Sequence, residues 1–201
     1  MSRGNMRMNL KDERTGFLVI VFLAALLFWC ALTALAHASD ADCETPTHCV
    51  LQSLARHTSD IKEDEQSRSV RMRGIANAID GATTDRVERA WLVMTAREES
   101  HYAKYVEEDA EKCSSVKTAT CDHGRAWGLW QVHTQDRTGG SERAAKLAIE
   151  KFRRAANYCV SQGFDRWLGG TSQYARGGRH CEWSESRERV SEMWKIWGRL
   201  K

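Results

Sequence analysis

Two short stretches near the middle of this chain hold the residue types that acid–base chemistry on a sugar requires. The first, Arg97-Glu98-Glu99-Ser100-His101-Tyr102, sets adjacent carboxylates at the end of an apolar-periodic segment. The second, Asp122-His123-Gly124-Arg125-Ala126-Trp127-Gly128-Leu129-Trp130-Gln131-Val132-His133, follows a cysteine-bounded loop and frames aromatics between glycines. Breaking a glycosidic bond needs a proton for the departing oxygen, so one carboxyl must stay protonated at a pH where an ordinary glutamate is ionised. Apolar surroundings favour the neutral form by penalising the charged one. Trp91, Met94, Tyr102, Trp127 and Trp130 are the candidates to supply them. Neighbours on a helix point about 100° apart, so Glu98 and Glu99 cannot share one pocket and one of them is expected to face solvent. Gly124 and Gly128 let a ligand approach backbone closely, an indole can stack on a sugar face, and the Gln131 amide suits hydroxyl or acetamido groups.

Helices must position these groups. Val87, Ala90, Trp91, Met94 and Thr95 make one apolar face leading into the glutamate pair, and Asp85 with Glu88 three residues on has the pattern of a capping box. An earlier helix is expected through Val70, Ile75, Ala78 and Ile79, ending at Asp80-Gly81. Ser141 is placed to cap a later one, whose face uses Ala145, Ala148, Ile149, Phe152, Ala156 and Cys159 and which stops at Gly163. In the last helix Val190, Met193, Trp194 and Trp197 read as a core stripe. No repeat, low-complexity tract or alternating strand series appears. The expected fold is mainly α, a single helical domain with irregular loops carrying function.

Residues 17–36 carry no charge and are preceded by Arg3, Arg7, Lys11 and Arg14, the pattern of an export signal or membrane anchor. Ala36-His37-Ala38 favours cleavage before Ser39, whereas an apolar run close to the ~20 residues that span a bilayer favours retention. The domain is therefore expected outside the cytoplasm, periplasmic or anchored to an inner membrane. Expected organisation is a signal peptide or anchor over 1–38, a polar disulfide-containing leader over 39–66 and the domain over 67–201. Of the net +3, most resides in residues 1–38: beyond residue 38 stand 26 basic and 25 acidic residues, which argues against nucleic-acid binding. Cys43, Cys49, Cys113, Cys121, Cys159 and Cys181 form an even set behind an export segment, so disulfides are expected. The short-loop pairing is Cys43–Cys49, Cys113–Cys121 and Cys159–Cys181, which spacing alone does not decide. No C-x-x-C pair supports zinc.

Glu99-Ser100-His101-Tyr102 resembles the Glu-Ser signature, and Gly128-Leu129-Trp130-Gln131-Val132 the Gly-Leu-Met-Gln signature, of goose-type lysozymes and soluble lytic transglycosylases. Tyr174-Ala175-Arg176-Gly177 stands where that superfamily carries Tyr-Asn-Ala-Gly, and order and spacing agree over about residues 85–197. The resemblance implies an α+β lysozyme-like fold and no cofactor or metal. The implied activity is cleavage of the β-1,4 bond between N-acetylmuramic acid and N-acetylglucosamine in peptidoglycan glycan strands. It makes Glu99 the general acid and Asp122 a water-orienting carboxylate. Ser100, His101, Gly128, Leu129, Trp130, Gln131 and Tyr174 would line the sugar groove. The chain departs from the pattern at His133, where those lysozymes have a second aspartate, and at Ala175 and Arg176. A missing second aspartate tips the reading toward a transglycosylase, in which the muramyl C6 hydroxyl attacks and only one carboxylate is needed. The alternatives are a hydrolytic lysozyme, with a second carboxylate about 6.5–9.5 Å from the acid, and a catalytically silent wall-binding module. Glu98 and His101 also spell Glu-x-x-His, but a metal bundle needs a second such motif and none exists.

Overall fold

The helix that ends in the glutamate pair is built from both sides of its own sequence. Asp85 accepts hydrogen bonds from the N–H groups of Val87 and Glu88, satisfying two donors that a helix start leaves unpaired. Every residue from Ala90 to Ala96 is at most 2 % exposed, so this helix is apolar all round and runs through the core. A computed structural model describes residues 43–56, 63–107, 125–135 and 138–201. Its elements are α1 (Pro46–Ala55), α2 (Glu65–Ala82), the central α3 (Arg86–Ser100), a single turn α4 (Lys104–Glu107), β1 (Ala126–Trp127), β2 (Val132–His133), α5 (Gly140–Ser161), α6 (Arg166–Arg176) and α7 (Ser186–Arg199). The architecture is mainly helical, with a two-stranded antiparallel hairpin in register Ala126 to His133 and Trp127 to Val132.

Packing explains which helices meet. Helix α6 lies flush on α5: a Cβ at Gly170 would stand 2.7 Å from the Phe152 ring and 2.9 Å from the Ala156 Cβ, so any larger residue there would push the pair apart. A Cys159–Cys181 disulfide staples the far end of α5 to the segment before α7. Trp91 is wholly buried between these layers, 4.3 Å from Phe152 and 4.8 Å edge-on to Tyr174, and its indole N–H donates to the Thr171 hydroxyl. Helix α7 packs on α3, and Arg97 on α3 pairs with Glu192 on α7 at 2.9 Å.

Several expectations change. Helix α2 starts earlier than Val70, on the cap Asp64, and runs through Asp80-Gly81 to Ala82. The polar leader contains helix α1, whose Val50, Leu51 and Ala55 join the core, so the packed domain begins before residue 67. The Cys43–Cys49 bridge is not made, and Cys49 keeps its thiol. Thr45 caps the His48 N–H and its carbonyl takes the Cys49 N–H, which turns the segment between the two cysteines into a helix start instead of an open loop. Ser141 lies inside α5 and gives its hydroxyl to Glu107, while Gly139 takes the cap position in a left-handed conformation.

On α7 the buried stripe is Val190, Met193 and Ile196, while Trp194 and Trp197 form an exposed rim at 42 % and 37 %. Trp194 lies edge-on to Trp167, and Arg86 covers Trp197. Cys113, Cys121 and the 17–36 run lie outside the described residues. Among the described residues no helix is long and apolar enough to cross a membrane.

Candidate active site

Where α3 leaves the core, its last turn divides the glutamates as their angular separation requires: Glu98 is exposed and Glu99 is turned inward. Glu99 accepts a hydrogen bond from Arg189 on α7, and the two side chains are 21 % and 15 % exposed. Ser100 is buried with its hydroxyl bonded back to the Ala96 carbonyl, so it closes the helix end and offers no free donor. His101 and Tyr102 follow with φ of 52° and 54°, two consecutive left-handed residues that are not glycine. Such backbone costs of order 1–3 kcal/mol per residue and persists only where its surroundings hold it. Here Tyr102 is the anchor: it is fully buried and its hydroxyl donates to the Val93 carbonyl. Burial pushes its phenol well up, with the nearby Arg97 charge opposing, so the group stays a neutral donor. His101 is the cap residue of the helix, its N–H bonded to the Arg97 carbonyl.

The second motif stretch forms the hairpin, which is tied to α3, α5 and α6. Between its strands Gly128 has φ of 66°, and a Cβ there would meet the Ala144 Cβ of α5 at 3.0 Å, so the turn needs glycine for conformation and for space. Gln131 closes the turn with φ of 47° and donates its amide to the Gly128 carbonyl. Among the described residues, His101, Tyr102 and Gln131 are the non-glycine residues with positive φ, and all three stand in the two motif stretches.

Trp130 and Leu129 correct the expected sugar platform. Both are 0 % exposed, and the Trp130 indole donates to the Leu92 carbonyl at 2.9 Å, which locks the ring into the core. Trp127 is buried too. The loop therefore keeps its indoles inside, and the half-buried Gln131 folds its amide back onto the turn.

Tyr174 joins the pieces. Its hydroxyl donates to the Trp130 carbonyl at 2.7 Å, tying α6 to the hairpin turn. Burial, and then the Glu99 charge, push its phenol well above the usual range. Lys151 on α5 holds its ammonium 4.3 Å over the Tyr174 ring. Burial pulls that ammonium down, the Glu99 charge opposes it, and Arg154 adds to the lowering. Glu99, Tyr174, Lys151 and Arg189 thus share one electrostatic neighbourhood, contributed by α3, α6, α5 and α7. Lys151 and Arg189 were missed in the sequence, where isolated charges on helices read as solvated faces; only the packing of α5 and α7 around α3 turns them inward. Asp122 lies outside the described residues, as do His123 and Gly124.

No protein-family model matches the chain, and neither the curated proteins nor the solved structures include a match.

Proposed function

We propose that the chain is a peptidoglycan-cleaving enzyme with a lysozyme-like arrangement, acting on the β-1,4 bond between N-acetylmuramic acid and N-acetylglucosamine. One observation carries the reading: three motifs far apart in sequence converge, because the Tyr174 hydroxyl holds the Trp130 carbonyl while its ring lies within reach of the Glu99 charge. A carboxyl at a helix end, a left-handed backbone after it and a hairpin turn linked to it through Tyr174 suit an acid acting on a glycan.

In this mechanism Glu99 gives its proton to the bridging oxygen as the C1–O bond breaks, and the N-acetylglucosamine side leaves as an alcohol. The C6 hydroxyl of the same muramyl residue attacks C1 from within, and the Glu99 carboxylate takes the proton released from that hydroxyl. The bond formed is the 1,6-anhydro bridge, no water is consumed and the acid is restored. Gln131 and the hairpin backbone hold sugar hydroxyl or acetamido groups, and Tyr174 fixes the turn that presents them. The glycan lies outside the cytoplasm, consistent with the export-type pattern of residues 17–36.

Digesting purified sacculi and weighing the products tests this. Anhydro ends, lighter by one water than reducing ends, are expected; reducing ends alone would make the enzyme a hydrolase that uses Asp122 as its second carboxylate. The Glu99–Arg189 pair gives a silent wall-binding module some support, since an ion-paired carboxylate has no proton to donate. Binding to sacculi with no soluble product would establish that reading.

A further inference from the structure

We propose that Arg189 is a positioning residue for Glu99: its guanidinium orients the carboxylate at rest and must release it for the proton transfer. The inference rests on Glu99 being the acid. Its first support is geometric. Arg189 sits in the first turn of α7, its backbone N–H bonded to the Glu185 carbonyl at 3.1 Å, and its guanidinium lies 4.8 Å from the centre of the Trp183 ring. Stacking on that ring and an exposure of only 15 % leave the side chain few other rotamers, so the guanidinium is presented to Glu99 already oriented.

The second support is the charge around the pair. Facing Glu99 are Arg189 from α7, Lys151 from α5 and the neutral Tyr174 phenol from α6. On its own helix Glu98 is exposed and Arg97 is engaged with Glu192; the titratable groups of the hairpin strand ends, Arg125 and His133, are exposed. Around Arg189 on α7, Glu185 and Glu188 are exposed and Glu192 is shared between Arg97 and Lys195. Arg189 alone bonds the carboxylate directly, while the Lys151 ammonium acts on it from over the Tyr174 ring. A carboxylate accepting from a guanidinium carries no proton, so acid catalysis requires opening of the pair together with proton uptake. Once the proton has gone to the leaving oxygen, the same guanidinium is positioned to stabilise the carboxylate that must next act as base.

Losing that orientation should lower the maximal rate and leave half-saturation by the glycan unchanged, because Arg189 acts through Glu99 and does not hold the sugar. The test measures maximal rate and half-saturation for sacculus cleavage by the full chain for the parent, Arg189→Gln, Arg189→Lys and Glu99→Gln. Arg189→Gln is expected to lower the maximal rate about tenfold with half-saturation parental. Arg189→Lys should restore the maximum only in part, because an ammonium lacks the planar fork. Arg189→Met keeps the stem against Trp183 without the charge, and serves the same comparison if the Gln variant does not fold. A maximal rate unchanged by loss of the charge, with Glu99→Gln inactive, overturns the inference and leaves the proposed function standing. An active Glu99→Gln overturns both.

Discussion

The two ends of α3 each carry a glutamate bonded to an arginine, and the contrast between them separates structure from chemistry. At the start, Glu88 has a side chain 7 % exposed and is saturated: Arg153 donates to both its oxygens, at 2.9 and 2.6 Å, and the Thr83 hydroxyl adds a third bond at 2.6 Å. Thr83 also accepts from the Asp85 N–H, so the expected capping box closes through a threonine and leaves the Glu88 carboxylate for Arg153. Burial alone would push Glu88 up, but these bonds and the Arg153 charge outweigh it and hold the group below the usual carboxylate range. At the other end, Glu99 is three times as exposed, takes one guanidinium hydrogen bond and is followed by strained backbone. A carboxylate with both oxygens engaged, by three hydrogen bonds, is a strut. One held by a single removable partner, beside backbone that only surrounding packing maintains, can exchange a proton.

Substitutions at each end should therefore act on different observables. Glu99→Gln is expected to lower sacculus cleavage by about 10²–10⁴-fold, with a melting temperature close to the parent's. Glu88→Gln should do the reverse, costing about 2 kcal/mol in urea unfolding because it breaks charge-assisted bonds at a buried site, while activity per folded molecule stays parental. Because folding holds Glu88 low, its contribution to stability is fully present above the ordinary carboxyl range and is lost as pH falls through the folded-state value. Urea unfolding on acidification should show the parent losing more stability than Glu88→Gln over that acid window. Tyr174→Phe leaves the Trp130 carbonyl without its donor, so about 1 kcal/mol of stability and several-fold of activity should go together, the latter through a loosened hairpin turn. The smallest effect is at Gln131: Gln131→Gly relieves a left-handed residue, so thermal stability should hold or rise slightly while cleavage falls, separating strain kept for function from strain kept for folding.

Much of this was legible in the residues. The α5 face of Ala145, Ala148, Ile149, Phe152, Ala156 and Cys159 is buried as its period requires, and the Asp85 cap and the differing exposure of Glu98 and Glu99 follow from helix geometry. The charged partners were not legible. Arg189 and Lys151 differ in no local way from solvated helix charges, and their direction is set by the neighbours of α3. Nor could the indoles be assigned by type: Trp130 disappears into the core because the Leu92 carbonyl accepts its N–H, whereas Trp194 and Trp197 stay at the surface because Ile196 takes the buried place on α7. A tryptophan satisfies its burial and its hydrogen bond in more than one way, and only the packed neighbours choose between them.

The most direct test digests purified sacculi with the parent and with Glu99→Gln side by side, following soluble products by mass. The account predicts anhydro-muropeptides from the parent and almost none from a folded Glu99→Gln protein. Equal product from both would contradict it, because the proton would then come from somewhere other than the end of α3.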